Sequence, residues 1–252
     1  MISDYFEQQL QLGPSVCDAS GRLSYAGTFG IFMDIASIHA EQLGVGLRAM
    51  AAQSLFWLTV KTQICFAGRP GMMDSVTLAT WPEKPDRMRA NRSYTLTRSG
   101  QTLITGKTEW AVMNTKTQRL TPVETVYPQG LVFTRDGVCP DAFAQIPDTF
   151  DAGNICAQER VRPTDIDVGG HMNNAAYLHL LFSTFSNEEL RAMRIRKIDA
   201  IFRAPCFEGE LLRLEKRGTD DGLELRLSRA DAQKPAGQTV FLAKITRQDV
   251  PG

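Results

Sequence analysis

Residues 165–180 read DIDVGGHMNNAAYLHL. The first seven positions form a polar segment with two carboxylates, two glycines and a histidine. Apolar residues then follow at helical spacing: Tyr177, Leu178, Leu181, Phe182 and Phe185. Asn173 or Asn174 can cap that helix, because a short side-chain oxygen accepts hydrogen bonds from N–H groups that the first turn leaves unpaired. The stretch therefore predicts a polar loop that enters a buried helix.

The start of this helix offers the groups that a hydrolytic reaction needs. A carbonyl oxygen that gains negative charge near residues 172–176 would meet free backbone N–H groups and the positive end of the helix dipole. Histidine is the side chain best suited to move a proton at neutral pH, and Asp167 can fold back to bond the imidazole of His171. The same residues also fit a capped core helix with a satisfied histidine, and this alternative stays open.

The stretch resembles the acyl-carrier-protein thioesterase family of hot-dog proteins. That family has the pattern Asp-x-Asn-x-His-Val-Asn-Asn, followed by Tyr-Leu or Tyr-Ile. The matching positions are Asp167, His171, Asn173, Asn174 and Tyr177. Gly169 stands where the family has its first asparagine. The resemblance implies catalytic roles for Asp167, His171 and Asn173. It also implies that Gly169 and Asn174 lie beside the bound substrate.

A second family pattern, Tyr-x-x-Glu-Cys, belongs to a later strand. Residues 202–206 read FRAPC, so Cys206 matches the cysteine and Pro205 replaces the glutamate. The resemblance implies a catalytic role for Cys206 and leaves two routes open. Either Asp167 and His171 activate water, or Cys206 attacks the thioester directly. Cys206 can equally be a plain buried thiol, because a reactive thiolate needs a positive group nearby.

The order of elements around this stretch repeats an order found in the first half of the chain. In the first half, helical spacing from Thr28 to Gly44 is accompanied by strand patterns at 3–12, 54–66, 76–81, 92–97 and 103–113. In the second half, the motif and a helical piece from Asn187 are accompanied by strand patterns at 156–161, 196–203, 210–216, 223–229 and 238–247. Residues 66–78 (FAGRPGMMDSVTL) also resemble residues 202–214 (FRAPCFEGELLRL). These patterns predict two copies of one α+β unit, and the resemblance implies a double hot dog.

Aperiodic sequence with several prolines separates the two copies. We expect an N-terminal hot-dog unit at 1–125, a connector at 126–153 and a C-terminal unit at 154–252 that carries the motif. The resemblance implies that the N-terminal unit shapes the acyl pocket, lined by Phe29, Phe32, Met33 and Trp57. Core packing is the competing interpretation for Trp57, and it is the expected role of His39.

The composition excludes several classes of protein. Lys+Arg and Asp+Glu both number 28, so no net charge is available to hold nucleic acid or an anionic membrane. Residues 1–12 contain no signal-peptide core and no later run reaches the length of a membrane span, so we expect a cytoplasmic protein. The five cysteines are scattered and odd in number, which predicts free thiols rather than disulfides or a zinc site. No metal and no organic cofactor is expected.

The leading hypothesis is an enzyme of fatty acid biosynthesis that hydrolyses fatty acyl thioesters of acyl carrier protein to free fatty acids. An acyl-CoA thioesterase, or a hot-dog protein that only binds acyl thioesters, are the alternatives. Two basic clusters are candidate docking edges for the acidic carrier protein: Arg191, Arg194, Arg196 and Lys197, and Lys84, Arg87, Arg89 and Arg92. A homodimer stays open, because two fused units can already complete the pairing that single hot-dog units form between copies.

Overall fold

A computed structural model describes residues 3–231 and 234–248 of the chain. The chain divides into two units, Met1–Ala142 and Phe143–Gly252, called here the N-terminal and C-terminal units. The division falls within the segment 126–153 that the sequence predicts as a connector. Residues 1–2 of the predicted N-terminal domain, and 232–233 and 249–252 of the predicted C-terminal domain, lie outside the described residues.

The N-terminal unit combines one long helix with an antiparallel sheet. Its elements within the described residues are β1 (Phe6–Gln11), α1 (Tyr25–Gln42), α2 (Leu47–Ala52), β2 (Leu55–Phe66), β3 (Ser75–Pro82), β4 (Ala90–Arg98), β5 (Gln101–Asn114) and β6 (Arg119–Thr121). The strands pair in the order β1-β3-β4-β5-β2, and β6 pairs with β5. Helix α1 begins earlier than predicted because Ser24 caps it, its Oγ accepting from the N–H of Gly27 at 2.8 Å.

Helix α1 packs closely on the sheet of its unit. The ring of Phe32 stacks on Tyr94 of β4 with centroids 4.9 Å apart. It also meets β5 at Gly106, where a Cβ atom would lie 2.8 Å from the Phe32 ring. A glycine at this position therefore lets the helix approach the strand.

His39 of α1 is buried, with 1% of its surface exposed, which confirms the core role expected from the sequence. Its Nδ1 lies 3.0 Å from a guanidinium nitrogen of Arg92, and its Nε2 lies 3.2 Å from the carbonyl oxygen of Ser3. Arginine only donates hydrogen bonds, so Nδ1 accepts and Nε2 carries the proton. Arg92 is itself only 5% exposed. Its inclusion in a surface docking cluster is therefore wrong.

The burial of His39 leads to a pH-dependent stability. Burial, together with the charge of Arg92, lowers the pKa of His39 from 6.5 to about 4. Between these values the unfolded chain binds a proton that the folded protein does not, so the free energy of unfolding should fall as the pH drops from about 6.5 towards 4, by at most about 3 kcal/mol.

Urea unfolding of the wild type and of His39→Gln at pH 7 and pH 4.5 measures this effect. Because only the wild type carries the titrating imidazole, the stability difference between the two proteins should shrink at the lower pH. A difference that stays constant over this range would contradict the assignment.

The C-terminal unit repeats the arrangement with shorter helices. Its elements within the described residues are β7 (Ile155–Arg160), α3 (Asn174–Phe182), α4 (Asn187–Ala192), β8 (Ile195–Phe202), β9 (Leu211–Thr219), β10 (Gly222–Asp231) and β11 (Lys234–Arg247). The strands pair antiparallel in the order β8-β11-β10-β9-β7. Tyr177 of α3 packs on this sheet, with its ring centroid 5.5 Å from that of Phe202 and 5.2 Å from that of Phe241.

A buried ion pair joins two neighbouring strands of the C-terminal unit. Arg226 of β10 donates two hydrogen bonds of 2.5 Å to Glu215 of β9, and these side chains are 5% and 2% exposed. It donates a third, of 3.1 Å, to Asp148. The two charges satisfy each other in a site that water barely reaches, which is the condition a buried pair needs.

The segment between β6 and β7 contains only two three-residue 3₁₀ turns, yet it is fastened to the sheets. In the N-terminal unit, the indole N–H of Trp81 donates to the carbonyl oxygen of Asp136 at 3.1 Å, and Lys107 donates to that of Cys139 at 3.0 Å. In the C-terminal unit, the N–H of Ala144 donates to Asp199 at 3.1 Å. Side chains on each sheet thus fix the path of this segment.

No helix in the described part of the chain is long and apolar enough to cross a membrane.

Candidate active site

The polar loop before α3 is a tight turn. Ile166 and Met172 form an antiparallel bridge, and the N–H of Asp167 donates to the carbonyl oxygen of His171 at 3.0 Å. The N–H of Gly170 donates back to the carbonyl oxygen of Asp167 at 3.0 Å. Gly170 has φ of +75°, a conformation that glycine adopts without strain. The turn brings residues 167 and 171 side by side immediately before the helix.

The carboxylate of Asp167 and the imidazole of His171 lie close together, as the sequence predicts. Oδ1 of Asp167 is 3.7 Å from Nδ1 of His171. This separation is longer than a hydrogen bond but short enough for an electrostatic interaction. The N–H of Gly169 holds the carboxylate at 2.7 Å. The side chains of Asp167 and His171 are 28% and 25% exposed, so water reaches both.

Asn173 caps α3, as the sequence predicts. The backbone N–H groups at the start of the helix differ from the expectation. Four N–H groups that were predicted to be free already have acceptors. They belong to Met172 (Cys206 O, 2.7 Å), Asn173 (Asp165 O, 2.7 Å), Ala175 (Asn173 Oδ1, 2.8 Å) and Ala176 (Asn173 O, 2.9 Å). The prediction of a row of free donors at 172–176 is therefore wrong. The positive end of the helix dipole remains beside His171, and half-buried Asn174 is the first residue of the helix.

Cys206 lies against the same loop but is completely buried. Its carbonyl oxygen accepts from Met172, and its N–H donates to the hydroxyl oxygen of Tyr177 at 3.1 Å. Burial raises the pKa of the Cys206 thiol to about 11. Arg229, the cation that acts on this thiol electrostatically, is paired with Glu210 at 3.0 Å. Cys206 therefore has the surroundings of a structural thiol, since burial favours its protonated form and a reactive thiolate needs the opposite.

Sequence reasoning missed the role of the Tyr177 hydroxyl. It bonds the N–H of Cys206 and lies 3.4 Å from the carbonyl oxygen of Ala204, which ties α3 to the 204–206 segment. The position of Tyr177 on the buried face of the predicted helix indicates such a contact, because a buried tyrosine hydroxyl usually has a polar partner.

Among the described residues, no group of three or more His, Cys, Asp or Glu side chains is placed to hold a metal ion.

Comparison with known protein families agrees with the resemblance seen in the motif. The family model for the acyl-ACP thioesterase N-terminal domain matches residues 3–129, and the model for the C-terminal domain matches residues 152–248. The chain belongs to the acyl-ACP thioesterase family.

Relatives within the acyl-ACP thioesterase family include plant proteins. The chain is 24% identical over 194 residues to an acyl-[acyl-carrier-protein] hydrolase, FATB3, of Cuphea viscosissima, covering 72% of this chain and 47% of the relative. It is 22% identical over 204 residues to oleoyl-acyl carrier protein thioesterase 1 of Arabidopsis thaliana, covering 72% of this chain and 55% of the relative. Both relatives are described as chloroplastic. The chain spans about half the length of the curated relatives it matches.

Two solved acyl-ACP thioesterase structures confirm the α+β double hot-dog fold. The 12:0-ACP thioesterase from Umbellularia californica superposes with a TM-score of 0.83 at 18% identity, covering 98% of both chains. An acyl-ACP thioesterase from Bacteroides thetaiotaomicron superposes with a TM-score of 0.80 at 17% identity, covering 97% of this chain and 98% of that one.

Gly169 departs from the acyl-ACP thioesterase pattern at the centre of the site. A Cβ atom at residue 169 would lie 3.0 Å from Oδ1 of Asp167 and 3.0 Å from Nε2 of His171, closer than ordinary van der Waals contact. The asparagine that the family has at this position would therefore require one of these groups to move. The glycine allows the carboxylate and imidazole to keep their observed positions.

The residues expected to line the acyl pocket lie in two places in the N-terminal unit, on helix α1 and on strand β2. Phe29 and Phe32 of α1 are 0% and 1% exposed, Met33 is half-buried, and Phe32 stacks on Tyr94. Trp57 instead packs on the cluster that contains Val45 and Val112. Its indole N–H donates to the carbonyl oxygen of Val45 at 2.9 Å.

Proposed function

We propose that this protein hydrolyses fatty acyl thioesters of acyl carrier protein to free fatty acids, and that Asp167 and His171 activate the attacking water. The proposal rests on the arrangement of these two side chains. They lie 3.7 Å apart, are each about a quarter exposed and stand just before the N-terminus of α3. Membership of the acyl-ACP thioesterase family supports the reaction class and the carrier.

The reaction needs one proton to move from water to the leaving sulfur. His171 accepts a proton from water as the water oxygen attacks the thioester carbon. The resulting oxyanion is stabilised by the positive end of the α3 dipole. When the carbon–sulfur bond breaks, the protonated imidazole returns the proton to the thiolate. The products are a fatty acid and the free thiol of the carrier.

The surrounding residues position these two groups. Asp167 stabilises the imidazolium electrostatically, and the Gly169 N–H holds the carboxylate. Asn173 fixes the helix start, and Cys206 supports the loop through its carbonyl oxygen. We assign the acyl chain to the N-terminal unit, whose apolar residues include Phe29, Phe32, Met33 and Trp57.

One prediction separates water from Cys206 as the nucleophile. Cys206→Ser should keep most of the hydrolytic rate, because serine retains the backbone contacts and the thiol is assigned no chemical step. Steady-state rates and intact-mass spectra of quenched reactions measure this. An acyl adduct on Cys206 of the wild type, or complete loss of turnover in folded Cys206→Ser, would reverse the assignment.

A binding protein without activity is the second candidate. It is favoured by one observation: the family's catalytic asparagine and glutamate are replaced by Gly169 and Pro205. Both proposals are tested by measuring the turnover of acyl-ACP and of acyl-CoA with the same acyl chain length. Release of the free thiol reports the turnover. We expect turnover with higher kcat/KM on acyl-ACP. Binding of acyl-ACP without thiol release would establish the binding protein, and a preference for acyl-CoA would change the carrier.

A further inference from the structure

The C-terminal unit has a groove between α4 and the sheet. Helix α3 ends at Phe182 and α4 begins after its cap at Ser186, and the groove is lined by residues of the segment between them, of α4 and of strands β9, β10 and β11. The groove has a volume of about 790 Å³. This volume lies within the range of about 300–1,000 Å³ that is typical of small-molecule sites.

One part of the groove lining is apolar. Phe185, Met193 and Leu223 contribute to it, from the segment between the helices, the end of α4 and strand β10. Met193 is only 7% exposed, whereas Phe185 and Leu223 are half-buried. Such a surface gains free energy when an alkyl chain displaces water from it.

The other part of the lining carries positive charge. Arg194 and Arg247 are exposed, and within residues 3–231 and 234–248 neither side chain has an ion pair or hydrogen bond. They flank the same strand pair, because the N–H of Gln248 donates to the carbonyl oxygen of Arg194 at 2.7 Å. Lys216 adds a third cation, with its Nζ 4.6 Å from the centre of the Phe185 ring.

The carboxylate in this lining does not neutralise the arginines. Glu189 accepts from the N–H of Ser186 at 2.7 Å within the cap of α4, and the cation that acts on it electrostatically is Lys216 rather than either arginine. Arg217, which also borders the groove, is paired with Glu224. The groove therefore combines two uncompensated guanidinium groups with an apolar recess, in a chain whose formal net charge is zero.

The groove is separate from the candidate active site. The active-site loop precedes the first residue of α3, whereas the groove follows its last residue. A nine-residue helix is about 13 Å long, so a ligand head group at the groove would not reach His171.

We propose that this groove binds a long-chain fatty acid, with its carboxylate on Arg194 and Arg247 and its alkyl chain along Phe185, Met193 and Leu223. The choice of a fatty acid rests on the proposed function, because that reaction releases such a molecule. Guanidinium groups bind carboxylates through paired, charge-assisted hydrogen bonds. A carrier protein docking on the two arginines would need their charge but not the recess beside them.

Calorimetric titration with dodecanoate, kept below its micelle concentration, tests the proposal. The wild type is compared with Arg194→Gln/Arg247→Gln and with Arg196→Gln, a control that removes an exposed arginine of β8 outside the groove. We expect the double variant to bind one equivalent of dodecanoate fewer than the wild type, or to bind that equivalent at least tenfold more weakly. The control should bind like the wild type. Dodecan-1-ol, which lacks the carboxylate, should bind the wild type at least tenfold more weakly.

Two results would overturn the proposal: equal dodecanoate binding by the wild type and the double variant, and equally strong binding of the alcohol. If equal dodecanoate binding came with a raised KM for acyl-ACP, the arginines would be assigned to carrier docking instead. Hydrolysis is measured on the same samples. Loss of one dodecanoate equivalent in the double variant, with no turnover in the wild type, would contradict the proposed function alone.

Discussion

His171→Ala should lower the rate of thioester hydrolysis by about 10²- to 10⁴-fold, because in the proposed mechanism the reaction loses the group that moves the proton between water and sulfur. The fold should survive, since the side chain is 25% exposed and belongs to a loop rather than to the apolar face of α3. Steady-state kinetics on acyl-ACP, with thermal melting as a check of folding, measures both effects.

The chain supplies a matched control for this prediction. His179 lies on α3 itself, near its C-terminal end, and its side chain is exposed. His179→Ala should therefore retain the wild-type rate. If folded His171→Ala turned over at the wild-type rate, or if both variants lost activity equally, His171 would not be the proton carrier.

Arg226→Met should destabilise the protein by about 3–5 kcal/mol, because it leaves Glu215 as an uncompensated charge in the interior. Glu215 is 2% exposed, and apart from Arg226 its described partner is the hydroxyl of Ser228 at 3.1 Å. Chemical denaturation at pH 7 measures the loss.

The double variant Arg226→Met/Glu215→Gln separates the stranded charge from lost packing. A neutral amide at residue 215 can still bond Ser228 and does not need the positive charge of Arg226. The double variant should therefore recover much of the stability. If Arg226→Met cost less than about 1 kcal/mol, or if the double variant were no more stable, the buried pair would not have the assigned role.

The sequence anticipated the parts of this structure that depend on local pattern. The helix cap at Asn173 follows from side-chain chemistry, and the strand Leu55–Phe66 follows from the alternating pattern of residues 54–66. The expected burial of one face alone is wrong, because residues 62–64 are all buried. The proximity of Asp167 and His171 follows from their spacing in a glycine-containing turn. These features involve residues close together in the chain, so short windows of sequence contain them.

The features that escaped prediction depend on contacts between distant segments. The N–H of Met172 is taken by Cys206, a partner from another part of the fold, so spacing within the motif did not reveal it. The charge of Arg92 predicts a place at the surface. The alternation of β4 places Arg92 on the same face as Tyr94 and Leu96, which predicts burial. Burial of the charged side chain is understandable once its partner, His39, is known.

The fastening of the connector has a consequence for how this chain tolerates change. Trp81, Lys107 and Gln63 reach backbone carbonyl oxygens of Asp136, Cys139 and Ala142, so these contacts do not depend on which side chains those three residues carry. Substitutions there leave the acceptors in place, whereas deletion of one residue shifts the carbonyl groups out of register with their donors. The connector therefore tolerates substitutions but not changes in its length. A fusion partner or affinity tag inserted between 136 and 142 would disturb the sheet that holds the connector.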